Sequence, residues 1–110
     1  MPTETLTIEQ YRQMEYKSMT EKQFQEIVRR ELKAAGWLAH HNWLSIHSSD
    51  GFPDIVAVRG DRILIAELKS EKGKVSSKQE EWLRAFGQSV CIEVYVWRPS
   101  DLPTIWEVVK

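Results

Sequence analysis

Asp54, Glu67 and Lys69 have the types and spacing to do chemistry together. Two apolar runs, Pro53-Asp54-Ile55-Val56-Ala57-Val58-Arg59 and Arg62-Ile63-Leu64-Ile65-Ala66-Glu67-Leu68-Lys69, are separated by Gly60-Asp61 alone. A Gly-Asp pair between apolar runs predicts a two-residue β-hairpin. Such a turn sets Arg59 opposite Arg62, and counting outward sets Asp54 opposite Glu67. Opposed residues of an antiparallel pair share a face, and Lys69, two residues beyond Glu67, points the same way. Both faces of the hairpin are otherwise mostly apolar, so these are expected to be central strands. Two carboxylates facing each other in a sheet centre repel, and burying either costs several kcal/mol. A divalent cation between them removes that cost, and hard oxygen ligands suit magnesium or manganese. A lysine beside such an ion would orient or help deprotonate an attacking water, while the ion lowers the water's pKa and shields charge developing on a phosphate.

The elements that must hold these groups are marked by their ends. Thr7-Ile8-Glu9-Gln10 and Thr20-Glu21-Lys22-Gln23 have capping-box spacing, as does the start of a third helix at Ser76 to Gln79. The first predicts a short helix from Ile8 to about Lys17 with a thin apolar stripe of Ile8, Tyr11 and Met14, then Met19. It reads as an arm packed on the domain or on a second subunit. The second predicts a helix from Glu21 to about Ala35, ended by Gly36 in the left-handed region. At 100° per residue Phe24, Val28, Leu32 and Ala35 fall within about 60° of Glu21, so Glu21 lies on the buried face and reaches the acidic pair if its helix packs on that face of the sheet. Arg29, Arg30 and Lys33 fall on the other side, toward solvent or a polyanion. Trp37 to His41 is expected to be a strand, residues 42–51 a polar loop, Val90 to Trp97 a strand and Ser100 to Val109 a closing helix. The third helix buries Trp82, Leu83 and Phe86, with Gln79 on the same face, where its amide would fix the lysine or a phosphate oxygen. The resulting order is that of an α/β fold around a mixed sheet.

Composition narrows the field. At 110 residues the chain is one domain by size, and 42% hydrophobic with 28% charged residues is globular, not disordered. Apolar runs are strand-length, far short of the roughly 18 residues of a membrane span. The polar, acidic start carries no expectation of a signal peptide. A lone cysteine, Cys91, excludes a disulfide scaffold and a Cys-based zinc site, suits a reducing cytosol, and reads as a small buried strand residue. A net charge of −1 argues against a protein that simply coats DNA. Lys69, Lys72, Lys74 and Lys78 nevertheless form a local positive rim around the acidic centre, where DNA phosphates would bind.

Pro53-Asp54 followed by Glu67-Leu68-Lys69 resembles the PD-(D/E)xK nuclease signature. The wider set comprises Thr20-Glu21 with Gln25, Gly36-Trp37, Gly51-Phe52-Pro53-Asp54, Glu67-Leu68-Lys69, and Gly73-Lys74-Val75-Ser76 with Gln79 and Trp82. That set resembles the VRR-NUC family, the virus-type replication-repair nucleases. Trp97-Arg98-Pro99-Ser100-Asp101 is similar to the small stand-alone members of phages and bacteria. The resemblance covers about residues 20–105. It implies a restriction-endonuclease-like core in the order α-β-β-β-α-β-α, with residues 1–19 as a helical arm and 20–110 as the nuclease domain. It further implies hydrolysis of DNA phosphodiester bonds with Mg2+ or Mn2+, in the cytosol of a bacterium or phage host. Glu21, Asp54 and Glu67 would be the metal-side acids, the Leu68 carbonyl a further ligand, Lys69 the catalytic lysine and Gln79 the motif glutamine. The stand-alone members suggest structure-selective cutting of branched or four-way junction DNA.

Each of these residues has a plainer reading. Asp54 and Glu67 could cap a loop or pair with Lys69, Glu21 could complement its helix dipole, and Gln79 could serve only as the capping partner of Ser76. His40, His41 and His47 are read as packed or solvated, since adjacent strand residues point to opposite faces. The tryptophans are read as core or interface, with base stacking by Trp43 as the other possibility. A small single domain offers little surface to grip a duplex, so a homodimer is expected, joined through Tyr11, Met14 and Met19 or exposed tryptophans. The alternative from another class is a non-catalytic nucleic-acid-binding or docking module that keeps the fold.

Overall fold

The computed structural model describes residues 5–42 and 50–110. Its elements are α1 (Ile8–Ser18), α2 (Glu21–Ala34), β1 (Leu38–His41), β2 (Ile55–Arg59), β3 (Arg62–Leu68), α3 (Ser77–Gly87), β4 (Ile92–Trp97), a 3-10 turn (Pro99–Asp101) and α4 (Leu102–Val109). The strands form one mixed sheet in the order β1-β2-β3-β4. The β1/β2 and β2/β3 pairs are antiparallel and β3/β4 is parallel, bridged by α3. This is the α/β architecture and element order expected of the nuclease core, with the β2–β3 hairpin central.

All three capping boxes form. Thr7 pairs reciprocally with Gln10, Thr20 with Gln23 and Ser76 with Gln79, each satisfying two helix-end donors, an arrangement in which the cap side chain alone contributes about 1 kcal/mol. Gly36, at φ 85°, follows the end of α2. The apolar stripe of α2 is completely buried: Phe24, Val28 and Leu32 pack with Leu102, Ile105 and Val109 of α4. Both helices cover Ile55, Ala57, Leu64, Ala66 and Leu68 of the sheet. By strand alternation Ile65 and Glu67 point to the other face, the side of α3.

Several boundaries differ from the sequence expectation. Trp37 precedes β1 as a buried anchor whose Nε1 donates to the Val109 carbonyl at 2.8 Å. β4 begins at Ile92, so Val90 and Cys91 lie in the preceding turn and are exposed; Cys91 is not a buried strand residue. The strand register is set from Ser89 onward by turn hydrogen bonds to its carbonyl and hydroxyl. Arg29 and Arg30 lie on the outer side of α2 as expected, and both pair with Glu26 one turn before them. The α1 arm has no buried residue; Ile8, Tyr11 and Met14 are exposed, while Tyr16 and Met19 pack against the core.

Candidate metal centre

The predicted register is observed. Arg59 pairs with Arg62 and Ile55 with Ala66, so the next pair outward is Asp54 with Glu67. Asp54 lies just before β2, and its Oδ2 accepts a hydrogen bond from the Leu68 N–H at 2.8 Å. The Asp54 carbonyl accepts from the Asn42 N–H at 2.8 Å, so β1 also holds this segment. Glu21, in the first turn of α2, completes a triad: one carboxylate oxygen from each of Glu21, Asp54 and Glu67 lies within 4.8 Å of the others. Because the α2 stripe packs on the opposite face from Glu67, Glu21 reaches the pair from the helix end, past the ends of the strands.

Glu67 is 1% exposed, the buried charged residue of the core. Its Oε1 accepts from Gln79 Nε2 at 2.9 Å and lies 3.9 Å from Lys69 Nζ. Its Oε2 is buried with no hydrogen-bond partner. Gln79 occupies both of the roles the sequence left open. Its Oε1 accepts from the Ser76 N–H at 2.8 Å, which turns its NH2 group toward Glu67. The helix cap thereby fixes the amide that fixes the carboxylate.

Placement of α3 against the acids depends on Gly51. It has φ 82°, and a Cβ there would lie 2.5 Å from the Lys78 carbonyl carbon and 2.7 Å from the Gln79 nitrogen. No side chain fits that approach. Phe52 follows as a wedge, edge-on to Trp82 at 5.0 Å and to Phe86 at 6.1 Å. Trp82 Nε1 donates to the Asp50 carbonyl at 3.2 Å. The segment entering Asp54 and the helix carrying Gln79 are thus locked together.

The electrostatics follow from crowding. Burial, with the Asp54 charge second, pushes the Glu67 carboxyl up to about 8. Burial likewise raises Asp54, opposed by the Leu68 N–H, then by hydrogen bonding with the Glu67 carboxyl and by Lys69. Burial raises Glu21, with Lys69 opposing and Asp54 adding. All three shifts disfavour the ionised acids as they stand. A hard dication reverses each of them, and the unpartnered Glu67 Oε2 is an oxygen such an ion would satisfy. The donor set, carboxylates without thiolate or imidazole, fits magnesium or manganese.

Glu21, Asp54 and Gln79 line a cleft of about 490 Å3 between α2 and α3, together with Lys22, Gln25 and Asn42, while Glu67 lies buried behind them. Lys22 was not singled out from sequence beyond its place in a capping box; its position one residue after Glu21 in a first turn is the signal that would have found it. Lys69 is largely covered, whereas Lys72, Lys74 and Lys78 are exposed, with Lys78 paired to Glu81 at 3.9 Å. His40 is exposed and His41 half-buried on the opposite side of β1. Trp43 and His47 lie outside the described residues.

The VRR-NUC domain family model matches residues 3–100. The chain belongs to the VRR-NUC family. A solved structure described as a VRR_NUC domain superposes on it with a TM-score of 0.64 at 22% identity, covering 81% of this chain and 97% of its own. That likeness bears on the fold, which it shares. No curated protein sequence matches the chain. This VRR-NUC chain is therefore a nuclease-type domain. Among its described residues, no helix is long and apolar enough to cross a membrane.

Proposed function

We propose that this VRR-NUC domain is a divalent-metal-dependent endonuclease that hydrolyses DNA phosphodiester bonds. The observation that carries the reading is the buried Glu67 carboxylate, with one oxygen unpartnered, converging with Asp54 and Glu21 beside Lys69. In this reading Glu21, Asp54, Glu67 and the Leu68 carbonyl hold Mg2+ or Mn2+. The bound ion supplies a Lewis acid and an acidified water. Lys69 would orient the attacking water or help deprotonate it, from the Glu67 side of the site. Gln79 keeps the Glu67 carboxylate in one rotamer. Lys72, Lys74 and Lys78, with Lys22 in the cleft and Trp43, engage the DNA backbone and bases.

The same reading makes branched or four-way junction DNA the preferred substrate and a homodimer the working form, as the resemblance to small stand-alone members implies. The exposed stripe Ile8, Tyr11 and Met14 on α1 supports association, because an 11-residue helix with no buried residue is marginal alone. A non-catalytic binding module would gain nothing from a buried, unsatisfied carboxylate. The test is a cleavage assay on linear and branched DNA with magnesium, manganese or EDTA. Cutting that requires metal and disappears in Asp54→Asn is expected. Cutting that persists in EDTA, or undiminished in Asp54→Asn, would falsify the reading. Light scattering is expected to show a dimer, and a monomer at high micromolar concentration removes that part alone.

A further inference from the structure

We infer that Arg98 is the positioning residue for Lys69, acting through the loop that joins β3 to α3. The inference rests on Lys69 belonging to the cleavage site. Arg98 sits immediately after β4, at the start of the 3-10 turn, and its Nη1 donates to three backbone carbonyls of one loop: Ser70 at 2.8 Å, Glu71 at 3.3 Å and Gly73 at 2.6 Å. The attachment is reciprocal. Glu71 Oε1 accepts from the Ser100 N–H at 3.1 Å, so the loop's side chain holds the turn while the turn's side chain holds the loop. Three carbonyls converging on one guanidinium nitrogen leave the loop one conformation in which all are satisfied.

What that conformation accomplishes is visible at Gly73. Its N–H donates to the Ser70 carbonyl at 3.1 Å, folding the loop back on itself. A Cβ on Gly73 would lie 2.9 Å from Ser70 Oγ and 3.6 Å from Lys69 Cβ, so the fold of the loop brings Gly73 close to the base of the Lys69 side chain. From the other side the Lys69 N–H donates to the Trp97 carbonyl at 3.0 Å, the residue adjoining Arg98. The lysine is thereby held with 13% of its side chain exposed and its Nζ 3.9 Å from Glu67 Oε1. A lysine side chain loses considerable rotamer freedom when held in one place, and Lys72 and Lys74 on the same loop are exposed. Gly73, beside the base of Lys69, is in the part of the loop whose carbonyls Arg98 holds. Arg98 makes no ion pair with any of the three acids among the described residues; it acts through the loop and is not a catalytic group.

The test is lysine acetylation of the metal-free chain by an N-hydroxysuccinimide ester, read residue by residue by mass spectrometry, paired with DNA cleavage kinetics. In the unaltered chain Lys69 is expected to react more slowly than Lys72 and Lys74. In Arg98→Met, which keeps the stem and loses the donors, Lys69 should rise to their rate while theirs stay put. The same variant should lose about 100-fold in kcat, the scale of a displaced catalytic group, with the Kd for DNA unchanged. Lys69→Ala combined with Arg98→Met should be no slower than Lys69→Ala alone. Unchanged Lys69 labelling in Arg98→Met, or losses that multiply in the double variant, overturns the inference. If circular dichroism shows that Arg98→Met does not fold, Glu71→Ala loosens the same attachment from the other side. It should raise Lys69 labelling, and Glu71→Gln, which keeps the acceptor, should not; a flat response to Glu71→Ala overturns the inference. Labelling does not depend on cleavage: the expected pattern in a chain that cuts no DNA supports the positioning role and removes the nuclease reading alone.

Discussion

The two ends of the β2–β3 hairpin handle charge in opposite ways. At the turn end, Arg59 donates to the carbonyls of Ala35 at 2.9 Å, Val109 at 2.8 Å and Lys110 at 3.1 Å. Arg62 grips Glu93 with two hydrogen bonds of 2.7 Å. Both guanidinium groups lie over the Trp37 ring, at 4.7 and 4.8 Å. Each guanidinium there is partnered, Arg59 by carbonyl oxygens and Arg62 by a carboxylate, and the Glu93 carboxyl is accordingly held low by Arg62. At the open end, 1% exposed Glu67 has one oxygen satisfied by Gln79 and the other by nothing, with two more carboxylates beside it. One end fastens helix ends and strands to each other. The other keeps carboxyl groups together that repel when ionised, a repulsion relieved by a proton or by a cation. Charge that is fully partnered serves the fold; charge left unpartnered in a core marks a site.

Breaking the two ends should separate activity from stability. Asp54→Asn, Glu67→Gln and Lys69→Ala are each expected to lower single-turnover cleavage by orders of magnitude while circular dichroism shows the fold intact. The losses should not multiply in double variants, because the groups act as one unit. DNA binding should survive in Asp54→Asn, whose exposed lysines are untouched. If Arg59→Met lowered cleavage of the folded protein as much, the distinction between the ends would be lost.

The next largest effect is on pH dependence without metal. Glu67 has its folded pKa raised to about 8, above its ordinary 4.5, by burial and then by Asp54. Its contribution is therefore fully present below about pH 4.5 and is lost as pH rises through about 8, on the order of a few kcal/mol. Thermal melts in EDTA should show stability falling across that window. Glu67→Gln should flatten the fall, and Mg2+ should reverse it by binding the ionised form and releasing the proton. A metal-free melting curve independent of pH from 5 to 9 in the unaltered chain would mean that Glu67 is not strained.

At the turn end, Arg59→Met is expected to cost about 2 kcal/mol in urea unfolding, because it leaves helix-end carbonyls without their charged donor. Cleavage at a temperature where the variant is folded should be unchanged. Smallest is Glu93→Gln, about 0.5 kcal/mol for a pair that is partly exposed. Its sign is opposite to that of Glu67. Glu93 has a lowered pKa, so its contribution is present above the ordinary carboxylate value and lost on acidification. The variant should lose stability at neutral pH and little at pH 3.

The contrast between the ends also explains what was legible in the sequence. The acidic pair was readable because its register follows from a two-residue turn and strand counting, both local. Glu21 is readable only in part: the capping box puts it in the first turn of α2, but the helix phase assigns it to the face away from Glu67, and it reaches the acids past the strand ends. The turn-end network was not, since Trp37 and Arg59 find partners at Val109 and Lys110, up to 72 residues away. No periodicity encodes which carbonyls end up within reach. The exposure of Cys91 was missed for a related reason: apolar residues at a strand's start look like strand, and the Ser89 turn that delays it is set by side-chain hydrogen bonding. Gln79 was read as either cap or site residue, and only coordinates show one amide serving both.

The central claim is that Glu21, Asp54 and Glu67 hold a divalent cation. The most direct measurement is anomalous diffraction from crystals of the chain grown with Mn2+. A peak between the three carboxylates, within coordination distance of Asp54 and Glu67 oxygens including the Glu67 Oε2, is the expected result. Absence of a peak there at saturating Mn2+, with Asp54 and Glu67 sharing a proton instead, would contradict it.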